Sequence, residues 1–347
     1  MQFGLFTLFD FFRGRQDEIA YYRDTLDLMK LAERLDYDSV WVGEEHFYCF
    51  GICPSPQLFL TALARETSRL RLGTAISLLP FENPLRKAED FAMVDILSDG
   101  RLNFGVGRGI IPKHFEGFCT DPRESRARYE ESLQIIRGAW TQDPFAYEGK
   151  FWQVPSLSLS PKPIQKPHPP IYRGTISPES FEGAAVVGDN AFVVPWLTGL
   201  HPEVRARVGR YRTLLKEYGH AQTRTTFIFF LFIDRDHQAA LRDGRETTRA
   251  YVDLFSSFTP VEALRQLREG DPLTTFLELA RSMPEHLEER AVVGTPAECR
   301  RRLAELRDEF GIDQIAFYFH AGARDPQRAR YGIELFANEV MPDFKNR

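Results

Sequence analysis

The chain predicts an α/β fold, a (β/α)8 barrel with insertions, and three observations lead there. Strand-like and helix-like stretches alternate along it, the signature of βα units around a parallel sheet. The segment from Gly73 to Gly109, GTAISLLPFENPLRKAEDFAMVDILSDGRLNFGVGRG, reads as one complete unit: strand, turn, helix, turn, strand. At 347 residues with 43% hydrophobic content, the chain is long enough for eight strands around one large core.

Taken in order, the first strand falls at 3–8 in the apolar start MQFGLFTLFDFF, and a helix follows at 17–35. The second strand is 39–43 and the next helix 56–68. The third strand, 70–78, ends at Pro80; Pro84 then sits where a helix begins, and that helix runs over 84–98 to Ser98-Asp99-Gly100. Strand 102–107 delivers Arg108 at its C-terminal end, the end where barrels of this kind place their chemistry. Asp121, Pro122 and Glu124 read as N-cap, first-turn proline and first-turn acid of a helix over 122–140, with an apolar stripe of Tyr129, Leu133, Ile136 and Trp140. Residues 142–169 break the alternation: YEGKFWQV reads as a small hairpin and PSLSLSPKPIQKPHPP as a proline-rich surface connection. Strands at 170–175, 191–195, 226–233 and 314–319, with helices at 178–187, 202–219, 236–254, 296–310 and 326–341, complete the pattern. A second break, 255–292, shows short helical patches and no strand. Long insertions after barrel strands serve as lids or active-site loops. Residues 1–347 are therefore read as one domain, with 255–292 as a mobile lid inside it.

Composition excludes several classes. A net charge of −5, with arginines interleaved among acids, argues against a nucleic-acid binder. No run approaches the roughly 20 apolar residues that cross a bilayer. The N-terminus lacks a basic leader and reads as the first barrel strand. Cys49, Cys53, Cys119 and Cys299 form no disulfide framework, and the C-x3-C pair has no partner ligands to complete a zinc site. The expectation is a cytoplasmic protein without a metal.

Two features point to an anion. Arg108, between two glycines at a strand end, offers a fixed guanidinium fork with room for close approach. Ser177-Pro178-Glu179-Ser180 opens a helix directly after a strand, where free backbone N–H groups and the helix dipole favour negative charge. GVGRG at 105–109 lacks the G-x-G-x-x-G order, so no dinucleotide fingerprint is present.

Motifs in a fixed order extend this reading: WVGEEHF at 41–47, LGTA at 72–75, P-x-R-x-AED at 84–90, D-x-x-S-x-GR at 95–101, FG-x-x-RG at 104–109, SR at 125–126, VGTPAEC at 293–299 and VMP at 340–342. With these the chain resembles the bacterial luciferase superfamily, in the branch nearest the luciferase alpha subunit. The resemblance implies a monooxygenase that takes reduced FMN from a separate flavin reductase, forms a flavin peroxide with O2 and oxygenates a small organic substrate. It implies that Arg108 and Arg126 clamp the FMN phosphate with help from Ser177 and Ser180, whereas Ile176 replaces a glutamate of the family. It places a cis peptide at Ala75–Ile76 beneath the ring, beside Gly107. Trp196, just after the sixth strand, is a candidate wall on the substrate side. The family pattern Glu-His-His-Phe reads here Glu44-Glu45-His46-Phe47, so Glu45 stands where luciferase has its catalytic histidine. Glu45 is the candidate acid–base group and His46 a supporting or substitute one. Gly107 replaces a reactive cysteine; with Glu45, this counts against light emission from a long-chain aldehyde. Helices 56–68 and 84–98 face a partner in that family, and Ala62, Ala64, Ala88, Ala92 and Val94 suit a homodimer contact. Phe6, Phe9, Phe11, Phe47, Phe81, Phe232 and Phe319, near strand ends, point to an apolar pocket. Two other readings are a deazaflavin-dependent hydride-transfer enzyme of the same superfamily and a flavin-binding barrel without catalysis.

Overall fold

The computed structural model describes residues 1–14, 17–48, 51–195, 199–220, 223–257, 281–320 and 324–345. In chain order the strands are β1 (Gln2–Thr7), β2 (Ser39–Val42), β3 (Arg71–Thr74), β4 (Ser77–Leu78), β5 (Leu102–Gly107), β6 (Phe145–Glu148), β7 (Gln153–Leu157), β8 (Ile171–Gly174), β9 (Asn190–Val193), β10 (Thr225–Ile233), β11 (Ala291–Gly294) and β12 (Gln314–Tyr318). Eight of them close a parallel ring in the order β1, β2, β3, β5, β8, β9, β10, β12 and back to β1. Helices lie between successive strands, as a (β/α)8 barrel requires. The hairpin expected in 142–169 is present as antiparallel β6 and β7.

Burial on both faces explains why the strands read as apolar runs rather than alternating ones. In β10, TTFIFFLFI, Phe227, Phe229, Leu231 and Ile233 pack outward with the helices. The intervening Ile228, Phe230 and Phe232 point into the barrel, where they join Phe6, Trp41, Phe192 and Tyr318. Every residue of this strand is buried.

The structure corrects four expectations. The strand at 70–78 is two, β3 and β4, separated by Ala75–Ile76, whose peptide bond is cis. Besides β4, which pairs with β5, a further parallel strand outside the ring, β11, pairs with the far end of β10 at the end of the segment read as strandless; its four residues are too few for a periodicity to register. A six-residue helix, Pro112–Gly117, follows β5 and was likewise too short to read. Finally, Ala64, Ala88, Ala92 and Val94 are buried within this chain against its own core, so they present nothing to a partner. The apolar surface of those two helices is instead Ala62, Leu58, Met93, Ile96 and Leu97. Of the proposed lid, residues 258–280 lie outside the described residues; what precedes and follows them is the end of the helix His237–Ser257 and the short helix Leu287–Arg290 leading into β11.

One glycine holds β3 against β5 at the site end. A Cβ on Gly105 would lie 1.8 Å from the Thr74 carbonyl oxygen. The Thr74 hydroxyl bridges the same gap, donating to the Gly105 carbonyl at 2.6 Å and accepting from its N–H at 2.9 Å. Only hydrogen fits there, because the obstructing atom is backbone and has no rotamer to yield.

Candidate functional site

The C-terminal strand ends open into one cavity of about 240 Å³. Residues following several of the ring strands line it: Leu8 after β1, Glu44 and Glu45 after β2, Ala75 and Ile76 between β3 and β4, Arg108 after β5, Thr175 and Ile176 after β8, Val194 after β9. Sequence neighbours contribute because each strand ends at the same level of the barrel, so its next residues converge on the axis.

One side of the cavity is basic. Arg108, Arg126, Arg173, Ser177 and Ser180 all line it. Arg108 is half-buried, and its Nη1 lies 3.5 Å from the Ser125 hydroxyl at the start of the next helix. Arg126, one residue on, is exposed and makes no hydrogen bond or ion pair with the described residues. Ser177 is the N-cap of the helix Pro178–Val187 but does not cap it with its side chain. Its hydroxyl instead helps hold Glu179 below the usual carboxylate range. The Ser180 hydroxyl donates to the Ser177 carbonyl at 2.6 Å and accepts from the Ile176 N–H at 3.1 Å, which shapes the helix entry. Arg173 was missed from sequence. It is 5% exposed on β8, where its Nε donates to the Tyr129 hydroxyl at 2.8 Å and its Nη2 pairs with Glu130. The available signal was a charged residue inside an otherwise apolar strand, PIYRGT.

Ala75, Ile76 and Gly107 line another part with small and aliphatic groups. A Cβ on Gly107 would come 1.9 Å from the Ile76 Cδ1, so a cysteine there would require Ile76 to move. Phe6, Leu8, Phe192, Val194 and Ile228 add apolar lining and pack in one cluster with Ala75 and Ile76. Of the seven phenylalanines expected at the pocket, only Phe6 lines it; Phe47, for one, is 59% exposed. Trp196 lies outside the described residues.

A third region is ionisable. Glu44 is buried and its carboxylate is fully engaged: Oε2 accepts from Lys87 Nζ at 2.7 Å, the Ser77 hydroxyl at 2.7 Å and the Leu78 N–H at 3.2 Å, while Oε1 meets His46 Nε2 at 3.0 Å. Burial pushes its pKa up, but Lys87 first and then His46 outweigh this and leave it at about 2. Lys87 is itself 1% exposed, reaches Glu82 at 3.1 Å as well, and is held above its ordinary pKa by these carboxylates against the pull of burial. This pair ties the loop after β2 to the helix Pro84–Leu97. His46 therefore lies behind the cavity, packed against Phe118 with ring centroids 4.8 Å apart, and is absent from its lining. Glu45 does line it. Its Oε2 lies 3.2 Å from His114 Nε2, on the short helix the sequence reading missed, and 3.4 Å from the Tyr48 hydroxyl.

Replacing Lys87 by methionine leaves Glu44 charged and buried without its ammonium partner, with only the neutral Ser77 and Leu78 donors on Oε2. The expected loss is about 3–5 kcal/mol of folding stability at pH 7, read by urea denaturation. An unchanged midpoint would show that the ion pair does not hold the loop. Because Glu44 falls to about 2 from an ordinary 4.5, its contribution is complete above pH 4.5 and disappears as pH drops towards 2. The variant should therefore lose stability less steeply over that acid window.

The geometry thus gives a barrel-mouth site with an arginine-lined side, a stretch of small and aliphatic residues, apolar side chains and the Glu45 carboxyl. Arg108, Arg126 and a helix start have the chemistry to meet an anion, whereas Arg173 is committed to Glu130, which also lines the cavity. The chain belongs to the luciferase-like monooxygenase family, whose model matches residues 1–314. It is 28% identical over 350 residues to the oxygenase component of the flavin-dependent trigonelline monooxygenase of Acinetobacter baylyi, covering 99% of this chain and 96% of that one. Among solved structures, the monooxygenase RslO1 of Streptomyces bottropensis superposes with a TM-score of 0.83 at 27% identity, covering 99% and 100% of the two chains. Two others share the fold at 20% identity and 99% coverage of each chain. One is the oxygenating constituent of 3,6-diketocamphane monooxygenase of Pseudomonas putida, in complex with FMN, with a TM-score of 0.79. The other is the coenzyme F420-dependent tetrahydromethanopterin reductase of Methanopyrus kandleri, with a TM-score of 0.72.

Proposed function

We propose that this protein is the oxygenase component of a two-component system, which uses reduced FMN and O2 to put one oxygen atom into a small, largely apolar organic substrate. The observation that carries the reading is the meeting of Arg108, Arg126 and the helix start Ser177–Ser180 on the rim of the cavity that Ala75, Ile76 and Gly107 also line. In this reading Arg108 and Arg126 hold the flavin phosphate, with the Ser177 and Ser180 region completing the donor set. Ala75, Ile76 and Gly107 bed the ring. Reduced FMN, when bound, supplies the electrons that activate oxygen. The protein's own residues do the rest: the apolar lining excludes water and orients the substrate, and Glu45 holds or releases a proton at its Oε2. His46 acts only through Glu44, by fixing the loop. The relative named as an oxygenase component supports supply of the flavin by a separate reductase. The exposed apolar residues Leu58, Met93, Ile96 and Leu97 would form a homodimer contact.

The test mixes the protein with a flavin reductase, NADH, FMN and isotopically labelled dioxygen in the presence of a metabolite extract. The expected result is a compound that gains one labelled oxygen only when the protein is present. The fold shared with an F420-dependent enzyme supports a second reading, hydride transfer with a deazaflavin. Turnover with reduced F420 under anaerobic conditions, and none with reduced FMN in air, would replace the first reading by the second. Tight binding of oxidised flavin without any product would leave a binding role alone.

A further inference from the structure

The contact between Glu45 and His114 has a consequence beyond the proposed oxygenation. His114 is 1% exposed and Glu45 8% exposed, and both line the cavity. His114 Nε2 lies 3.2 Å from Glu45 Oε2 and 3.3 Å from the backbone nitrogen of His46, whose N–H donates to it. A backbone N–H can only donate, so Nε2 presents its one lone pair to it, the ring proton sits on Nδ1, and any second hydrogen bond at Nε2 comes from a donor that shares that lone pair. A carboxylate oxygen beside that lone pair would set two acceptors face to face. The contact is attractive only with a proton between them. The other ring nitrogen, Nδ1, is buried and has no hydrogen-bond partner among the described residues. A core histidine without function normally finds such a partner.

We infer that the Glu45 carboxyl holds a proton on Oε2 and directs it at Nε2 of His114, with His114 as the positioning residue that orients that carboxyl at the cavity wall. The titratable groups facing the pair are Tyr48 on the same loop, Tyr251 on the helix His237–Ser257, Cys53, and the His46 ring at 5.6 Å from His114. Lys113 and Glu116, on the short helix itself, pair with each other at 3.5 Å. When Glu45 gives up that proton, its O–H bond breaks, an O–H bond forms on a basic oxygen of the substrate, and the Tyr48 hydroxyl remains to meet the charge left on Oε2. The part played in turnover rests on the monooxygenase reading; the hydrogen-bonded pair does not.

The test is made first on the whole protein without flavin. Side chains of histidine are labelled with nitrogen-15, and imidazole spectra are followed over about pH 5–9. The His114 signals are those lost in His114→Asn. The expected tautomer carries its proton on Nδ1, and Glu45→Gln is expected to displace the pH dependence of the His114 signals. A proton on Nε2 of neutral His114, or the same titration in Glu45→Gln as in the parent, overturns the inference. In reductase-coupled turnover, His114→Asn is expected to displace the pH profile of kcat while the Kd for reduced FMN stays as in the parent. A lower kcat with an unmoved profile assigns His114 to packing alone and overturns its positioning role. Coupled titrations in a protein that oxygenates nothing leave the pair standing and remove the monooxygenase reading.

Discussion

Replacing Arg108 and Arg126 together by glutamine is expected to weaken binding of reduced FMN by about 100- to 10,000-fold. The size follows from the chemistry of the rim. A hydrogen bond to a charged partner is worth about 1.5–3 kcal/mol, and two are removed, so the loss is about 3–6 kcal/mol, or about two to four powers of ten in Kd. The single changes should differ. Arg108 is half-buried beside Ser125 and its fork is held, whereas Arg126 is exposed and must be ordered on binding. Arg108→Gln should therefore cost more than Arg126→Gln. Anaerobic titration of reduced FMN, with circular dichroism to show that the fold is intact, checks this. Unaltered affinity in the double variant would mean that the cavity rim is not the phosphate site, and the flavin reading would fall with it.

Glu45→Gln is expected to lower kcat by about 100- to 10,000-fold, the range for loss of a positioned acid–base group, with no change in flavin affinity. Glutamine preserves shape and can still contact His114, but it carries no titratable proton. The separation of effects is the point of the measurement: Glu45 lies 3.2 Å from His114 Nε2, whereas Arg108 lies 3.5 Å from the Ser125 hydroxyl. A fall in affinity with kcat intact would assign Glu45 to binding. Unchanged kinetics would remove the loop after β2 from the chemistry. His46→Gln should act differently, through the Glu44 network, by loosening the loop rather than by removing a proton.

The barrel was legible in the sequence because both things that make it are local. Apolar runs buried on two faces and helices with caps and stripes announce themselves over short windows, and all eight ring strands fall where the apolar runs lie. Helix starts were sharpest: Pro178–Val187 and Pro296–Phe310 begin at their prolines, the latter with Thr295 and Glu298 in a reciprocal cap. Short elements were not legible. Six residues at Pro112–Gly117 and four at β11 span too little chain for a period to emerge. The partner-facing helices were misassigned residue by residue for a related reason. Small residues favour close packing equally well against the chain's own barrel and against a second copy, and Ala88 and Ala92 took the first course.

By itself the sequence determined the order of strands and helices, and placed Glu45, Ala75, Ile76, Gly107, Arg108, Arg126, Ser177 and Ser180 at strand ends and helix starts, which the closed ring then gathers around one cavity. Only the tertiary structure decided that of two adjacent acids lining that cavity Glu44 is spent on Lys87, that His46 turns away, and that His114, 69 residues downstream of Glu45, turns towards it. The reason is physical. Local pattern reports which backbone shape a segment prefers, whereas the orientation and partners of a buried charged side chain depend on what distant segments bring within about 3 Å of it in a medium where an unpaired charge is costly.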